Sequence, residues 1–102
     1  SSCDFKVANG FNYHQGPEWL WLTGYYIRAL IYFSKFNDDK EEFDQIIRSM
    51  LCRLYELEEN NEWLGLPELT QENGEYCADS TRIQSWSVSC TIDALRDFYA
   101  IR

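Results

Sequence analysis

The stretch Gly16-Pro17-Glu18-Trp19-Leu20-Trp21-Leu22-Thr23-Gly24-Tyr25-Tyr26-Ile27-Arg28-Ala29-Leu30-Ile31-Tyr32-Phe33-Ser34-Lys35-Phe36 decides the fold. Gly16 suits an N-cap, Pro17 suits the first helical position where its missing N–H costs nothing, and Glu18 complements the positive end of the helix dipole. From Trp19 to Phe36 apolar side chains occupy nearly the whole circumference, so this helix must be covered on most sides. Before it, residues 1–15 hold Asn9, Gly10 and Asn12 without a sustained period, which predicts an irregular approach segment.

After it, Asn37 and Asp38 break the pattern and cap. A second helix is expected from about Asp39 to Glu58, with Phe43, Ile46, Ile47, Met50, Leu51, Leu54 and Leu57 at spacings of three and four. Its other face carries Asp39, Lys40, Glu41, Glu42, Asp44, Arg48, Arg53 and Glu56, a solvated surface, so this helix lies on the outside. A third helix is expected from Ser80 or Thr81 to Tyr99, where Ile83, Trp86, Val88, Cys90, Ile92, Leu95 and Phe98 cover a broad arc. Between the second and third lies Glu59 to Asp79, with no strand or helix expected. Loops of such length inside a compact domain are functional or disordered. Trp63, Leu64, Leu66, Leu69 and Tyr76 favour docking onto the helices over disorder.

The expected fold class is therefore all-α. An enclosed helix, an exposed one and another enclosed one suggest concentric helical layers. Three helices cannot close such a ring, so the chain either associates with itself or is a piece of something longer. A start at Ser1-Ser2-Cys3-Asp4, with neither Met nor a signal segment, points to the second.

At 102 residues the chain holds one domain or part of one. Its 17 acidic residues against nine Lys and Arg give a formal charge of -8, which argues against nucleic acid and anionic membrane surfaces as partners. The apolar run is interrupted by Thr23, Gly24, Arg28, Ser34 and Lys35, short of the roughly 20 residues that span a bilayer. Cys3, Cys52, Cys77 and Cys90 form no Cys-x-x-Cys pair and read as free thiols of a reducing compartment. With a single histidine, His14, a zinc site is disfavoured, and no cofactor is expected.

The residues that can carry chemistry are few. Glu68, in Gly65-Leu66-Pro67-Glu68-Leu69-Thr70, sits in the long loop between apolar neighbours, where a partly desolvated carboxylate suits general base work or pairs with a backbone N–H. Glu18 suits either a helix cap or display in a pocket. His14 lacks a matching nucleophile and reads as a hydrogen-bonding group. Trp19, Trp21, Trp63 and Trp86 are core residues taken singly, yet an indole is also a flat apolar plate with one donor, suited to sugar rings. Gln84, Ser85 and Ser87 around Trp86 can bond to hydroxyls or satisfy a helix start.

Three blocks carry a resemblance: Asn12-Tyr13-His14-Gln15-Gly16-Pro17-Glu18-Trp19-Leu20-Trp21, Gly65-Leu66-Pro67-Glu68-Leu69-Thr70 and Gln84-Ser85-Trp86-Ser87. In this order, and over essentially the whole chain after residue 8, the sequence resembles the C-terminal end of the eukaryotic glycogen debranching enzymes. The resemblance implies that residues 1–102 are the C-terminal part of an amylo-α-1,6-glucosidase domain, a helical-hairpin segment of a six-hairpin α/α toroid. It implies a cytoplasmic bifunctional enzyme, a glucanotransferase and a glucosidase, acting on glycogen or a limit dextrin. It further implies that Glu68 is the general base of an inverting hydrolysis whose acid, an aspartate, lies upstream and has no counterpart here. Tyr13, His14, Glu18, Trp19, Gln84 and Trp86 then fall in blocks that resemble the family's glucose pocket. Gln71 stands where the family commonly has Asn, and Ser85 where it has Ala; neither change removes a proposed catalytic group. Read from the residues alone, a non-catalytic carbohydrate-binding or self-associating helical module stays open, as does a purely structural unit.

Overall fold

The computed structural model describes residues 13–14 and 16–101. The approach segment before Tyr13 and Cys3 lie outside them. The order of elements is β1 (Glu18–Trp19), α1 (Leu20–Ser34), α2 (Lys40–Glu59), β2 (Leu69–Thr70) and α3 (Ser85–Ala100). The fold is mostly helical, as the sequence predicts, with two very short strands that it does not.

The first helix begins at Leu20 rather than at Pro17. Gly16 adopts φ +111°, outside the extended conformation of an N-cap. Glu18 and Trp19 pair antiparallel with Thr70 and Leu69, and the Leu20 amide donates to the Glu68 carbonyl at 3.2 Å. A backbone donor that a side-chain cap would otherwise satisfy is thus met from the long loop. At the other end α1 stops at Ser34, two residues short of Phe36. The second helix follows expectation within one residue. Its cap is Asp39 rather than Asn37 or Asp38: the Asp39 carboxylate accepts the Glu42 amide at 3.1 Å, and Glu41 and Glu42 stand in the first turn.

The third helix starts at Ser85, not Ser80 or Thr81. Residues 81–84 are held by the loop instead: the Thr81 carbonyl accepts the Glu68 amide, and the Gln84 amide donates to the Leu66 carbonyl, both at 2.9 Å. Backbone already bonded across the fold cannot also close helical turns.

The core lies between the three helices and the loop. Leu20, Ile27 and Ile31 of α1 meet Ala94 and Phe98 of α3, with Ile47 and Leu54 of α2 and Leu66 of the loop closing the cluster. The most extensive packing is α1 against α3. It depends on Gly24, since a Cβ there would sit 2.6 Å from the main-chain carbon and oxygen of Cys90.

The long loop is ordered: Leu66, Leu69, Thr70 and Cys77 are buried in it. Trp63 and Leu64, expected to dock, are instead exposed, and Leu64 has φ +53°. Leu22, Tyr25, Tyr26, Tyr32 and Phe33 of α1 and Trp86, Ile92 and Tyr99 of α3 are exposed as well. Extents of 46 × 28 × 18 Å leave less than two full helix diameters across the thin direction, so among the described residues neither α1 nor α3 is covered on both sides. Cys52 is exposed and Cys90 buried, and neither forms a disulfide among the described residues. Among the described residues no helix is long and apolar enough to cross a membrane.

Candidate functional site

Glu68 sits where three elements converge. Its carbonyl accepts from Leu20 at the start of α1 and its amide donates to Thr81, so its main chain is fixed on both sides. The residue before it is fixed too: the buried Ser87 hydroxyl of α3 donates to the Pro67 carbonyl at 2.8 Å. After it, Leu69 accepts from the Cys77 amide and Thr70 bridges to Tyr76. The Arg53 guanidinium of α2 then donates to the Gly74 carbonyl and ties down the turn at residues 71–75. The segment is a rigid mount built from all three helices.

The Glu68 carboxylate is half-buried. Its Oε2 accepts the Tyr13 hydroxyl, and the Thr81 amide approaches the same oxygen at 3.4 Å. Oε1 has no hydrogen-bond partner among the described residues. Burial pushes the Tyr13 phenol well above the ordinary tyrosine range, helped by the bond it donates to Glu68 and by the charges of Glu68, Asp79 and Cys77. Tyr13 therefore remains a donor at any physiological pH. Among the described residues, one carboxylate oxygen is held and the other is left to act.

Aromatic rings border this carboxylate. His14 stacks on Trp19 with centroids 5.2 Å apart and planes 16° apart, and Tyr13 meets both edge-on at 5.3 and 5.5 Å. Tyr13, His14, Trp19 and Glu68 are thus brought together, although 55 positions separate Tyr13 from Glu68.

The remaining sequence-predicted residues have other contacts. Gln84 docks α3 on the loop through its amide, and its side chain lies 3.5 Å from the Ser87 hydroxyl. Trp86 stacks on Trp21 with centroids 4.3 Å apart and planes 9° apart, a second aromatic platform that is half-exposed. Glu18 makes no cap: its carboxylate accepts the hydroxyls of Thr23 and Thr70. It also borders a cavity of about 310 Å³ between α1, α2 and the loop, whose walls include Thr23, Met50, Arg53 and Thr70 but not Glu68.

Sequence reasoning assigned no role to Thr23, Thr70 or Thr81. Thr70 was visible only as the end of the Pro-Glu-Leu-Thr block. A buried threonine one turn into an apolar helix was the one signal for Thr23. Among the described residues no group of three or more His, Cys, Asp or Glu is placed to hold a metal ion.

Comparison with known proteins bears on this site. Residues 3–93 match the family described as amylo-alpha-1,6-glucosidase. The glycogen debranching enzyme of Saccharomyces cerevisiae is 38% identical over 110 residues, an alignment that covers 96% of this chain and 7% of the yeast protein. The chain spans only that small share of the relative's length.

Proposed function

Since the chain belongs to the amylo-alpha-1,6-glucosidase family, we propose that it is the base-bearing part of an inverting glucosidase that removes α-1,6-linked glucose in glycogen debranching. The observation that supports this most is the Glu68 carboxylate, held through Oε2 by Tyr13, whose ring packs against those of Trp19 and His14, while Oε1 has no hydrogen-bond partner among the described residues.

In this reading a water lies between Glu68 Oε1 and the anomeric carbon. Glu68 takes a proton from it, the new oxygen–carbon bond forms, and the bond to the O6 leaving oxygen breaks. A carboxylic acid on the opposite side of the sugar gives that oxygen its proton. Inversion needs two carboxyl groups roughly 6.5–9.5 Å apart. The second comes from elsewhere in a longer parent chain, whose neighbouring helices also cover the bare faces of α1 and α3 and complete the α/α toroid. Trp19, His14, Gln84 and Trp86 contribute to the sugar pocket. The parent is placed in the cytoplasm with a second, glucanotransferase activity on the same glycogen, and the 102 residues alone do not turn over substrate.

Two outcomes are expected. Because attack comes from the face opposite the α-linkage, the glucose first released from a limit dextrin is the β-anomer; time-resolved proton NMR showing α-glucose first overturns the base role. Substituting Y13F removes a hydrogen bond to a charged group, worth about 1.5–3 kcal/mol. Steady-state glucose release should then show kcat lowered by about 10- to 100-fold with the fold intact by circular dichroism. An unchanged kcat would detach Tyr13 from the mechanism.

A further inference from the structure

The pairing that seats Glu68 is short. β1 and β2 contribute two residues each, so the ladder itself supplies few hydrogen bonds. A slip of one position moves the strand by about 3.3 Å and turns every side chain to the other face, which would expose the buried Leu69 and Thr70. A side-chain bridge across the pair adds to the backbone bonds that hold Thr70 opposite Glu18.

The Glu18 carboxylate does this. Oε1 accepts the Thr23 hydroxyl from the first turns of α1, and Oε2 accepts the Thr70 hydroxyl from β2 at 3.3 Å. Thr23 is 8% exposed and Thr70 1%, so each hydroxyl has little access to water as an alternative partner. An ionised carboxylate only accepts, and here each of its oxygens accepts a hydrogen bond from a different element. Thr70 lies two residues beyond Glu68, on the same pinned segment. We infer that Glu18 is a positioning residue for Glu68: by bridging Thr23 and Thr70 it locks the register of residues 18–20 against 68–70 and so aims the base without touching the sugar. The inference rests on the reading of Glu68 as general base. It replaces the sugar contact that the resemblance implies for Glu18 with a bracing role.

Glutamine at 18 keeps the bridge, because its amide accepts one threonine hydroxyl and donates to the other. Alanine abolishes it. Misplacement by about 1 Å of a group that must meet a reacting atom costs up to about 100-fold. In the full-length enzyme that carries this segment, kcat and KM for glucose release from limit dextrin are measured for E18A, E18Q, T70V, E18A/T70V and E68Q. E18A should lower kcat by about 10- to 100-fold with KM little changed. E18Q should restore most of it, and E18A/T70V should be no worse than E18A, since both substitutions break one bridge.

E18A at the wild-type kcat overturns the inference. So does E18Q as impaired as E18A with a raised KM, which marks Glu18 as a sugar ligand. Should E18A fail to fold, T70V decides: a lowered kcat at constant KM upholds the bridge, and an unchanged kcat removes it. E68Q separates the two claims, because an active E68Q refutes the base assignment itself, whereas an inactive E68Q beside a fully active E18A refutes only the bracing role.

Discussion

E68Q in the full-length enzyme should lower the rate of α-1,6-glucose release by about 10²–10⁴-fold, the usual contribution of a positioned general base. Glutamine keeps the size and the acceptor facing Tyr13, so the substitution removes the proton-accepting oxygen and little else. Binding of a malto-oligosaccharide, followed by tryptophan fluorescence from Trp19 and Trp86, should survive it. That split between lost turnover and retained binding is the signature of a group needed in the transition state. An E68Q enzyme that releases glucose at an undiminished rate would sink the assignment. Lost binding together with lost turnover would make Glu68 a sugar ligand.

The largest expected effect on stability lies at the crossing of α1 and α3, where Gly24 meets Cys90. In an exposed helix Gly→Ala stabilises by about 1 kcal/mol. At Gly24 the added methyl would stand 2.6 Å from the Cys90 carbonyl carbon and oxygen, and main chain inside a helix cannot step aside. Overpacking of this kind costs about 1–3 kcal/mol or more, so the steric term outweighs the propensity gain and G24A should destabilise. Bulkier G24V should do so further, forcing apart the most extensive interface of the fold. Urea unfolding of each variant measures this. Because the clash is with backbone atoms, C90A should give no rescue. A G24A protein more stable than the parent would show that the helices do not cross this closely.

Much of the architecture was legible because it follows from local pattern. The three helices, their order and the bounds of α2 to within a residue come from apolar spacing and from the break at Asn37 and Asp38, although the cap itself is Asp39. What was not legible has partners distant in sequence. Residues 80–84 carry a helical pattern, yet Thr81 and Gln84 spend their backbone groups on Glu68 and Leu66. Pro17 and Glu18 look like a helix start, yet Glu18 and Trp19 pair with a segment some fifty positions later. The same distinction runs through the site. Glu68 stood out by its place in an apolar loop, whereas no spacing rule connects Glu18 to a hydroxyl 52 residues away. Trp63 failed for another reason: apolar content favours docking in general and cannot say which side chain of a loop turns inward.

The mount of Glu68 has a consequence for inheritance. Three of the groups that seat residues 66–68 arrive later in translation: the Thr81 carbonyl, the Gln84 amide and the Ser87 hydroxyl. A frameshift or premature stop in the codons for residues 81–87 spares the base itself but strips away what holds it. Because such an allele also removes Ala94 and Phe98 of α3 from the core, it would present as loss of fold and chemistry together rather than loss of a dispensable tail.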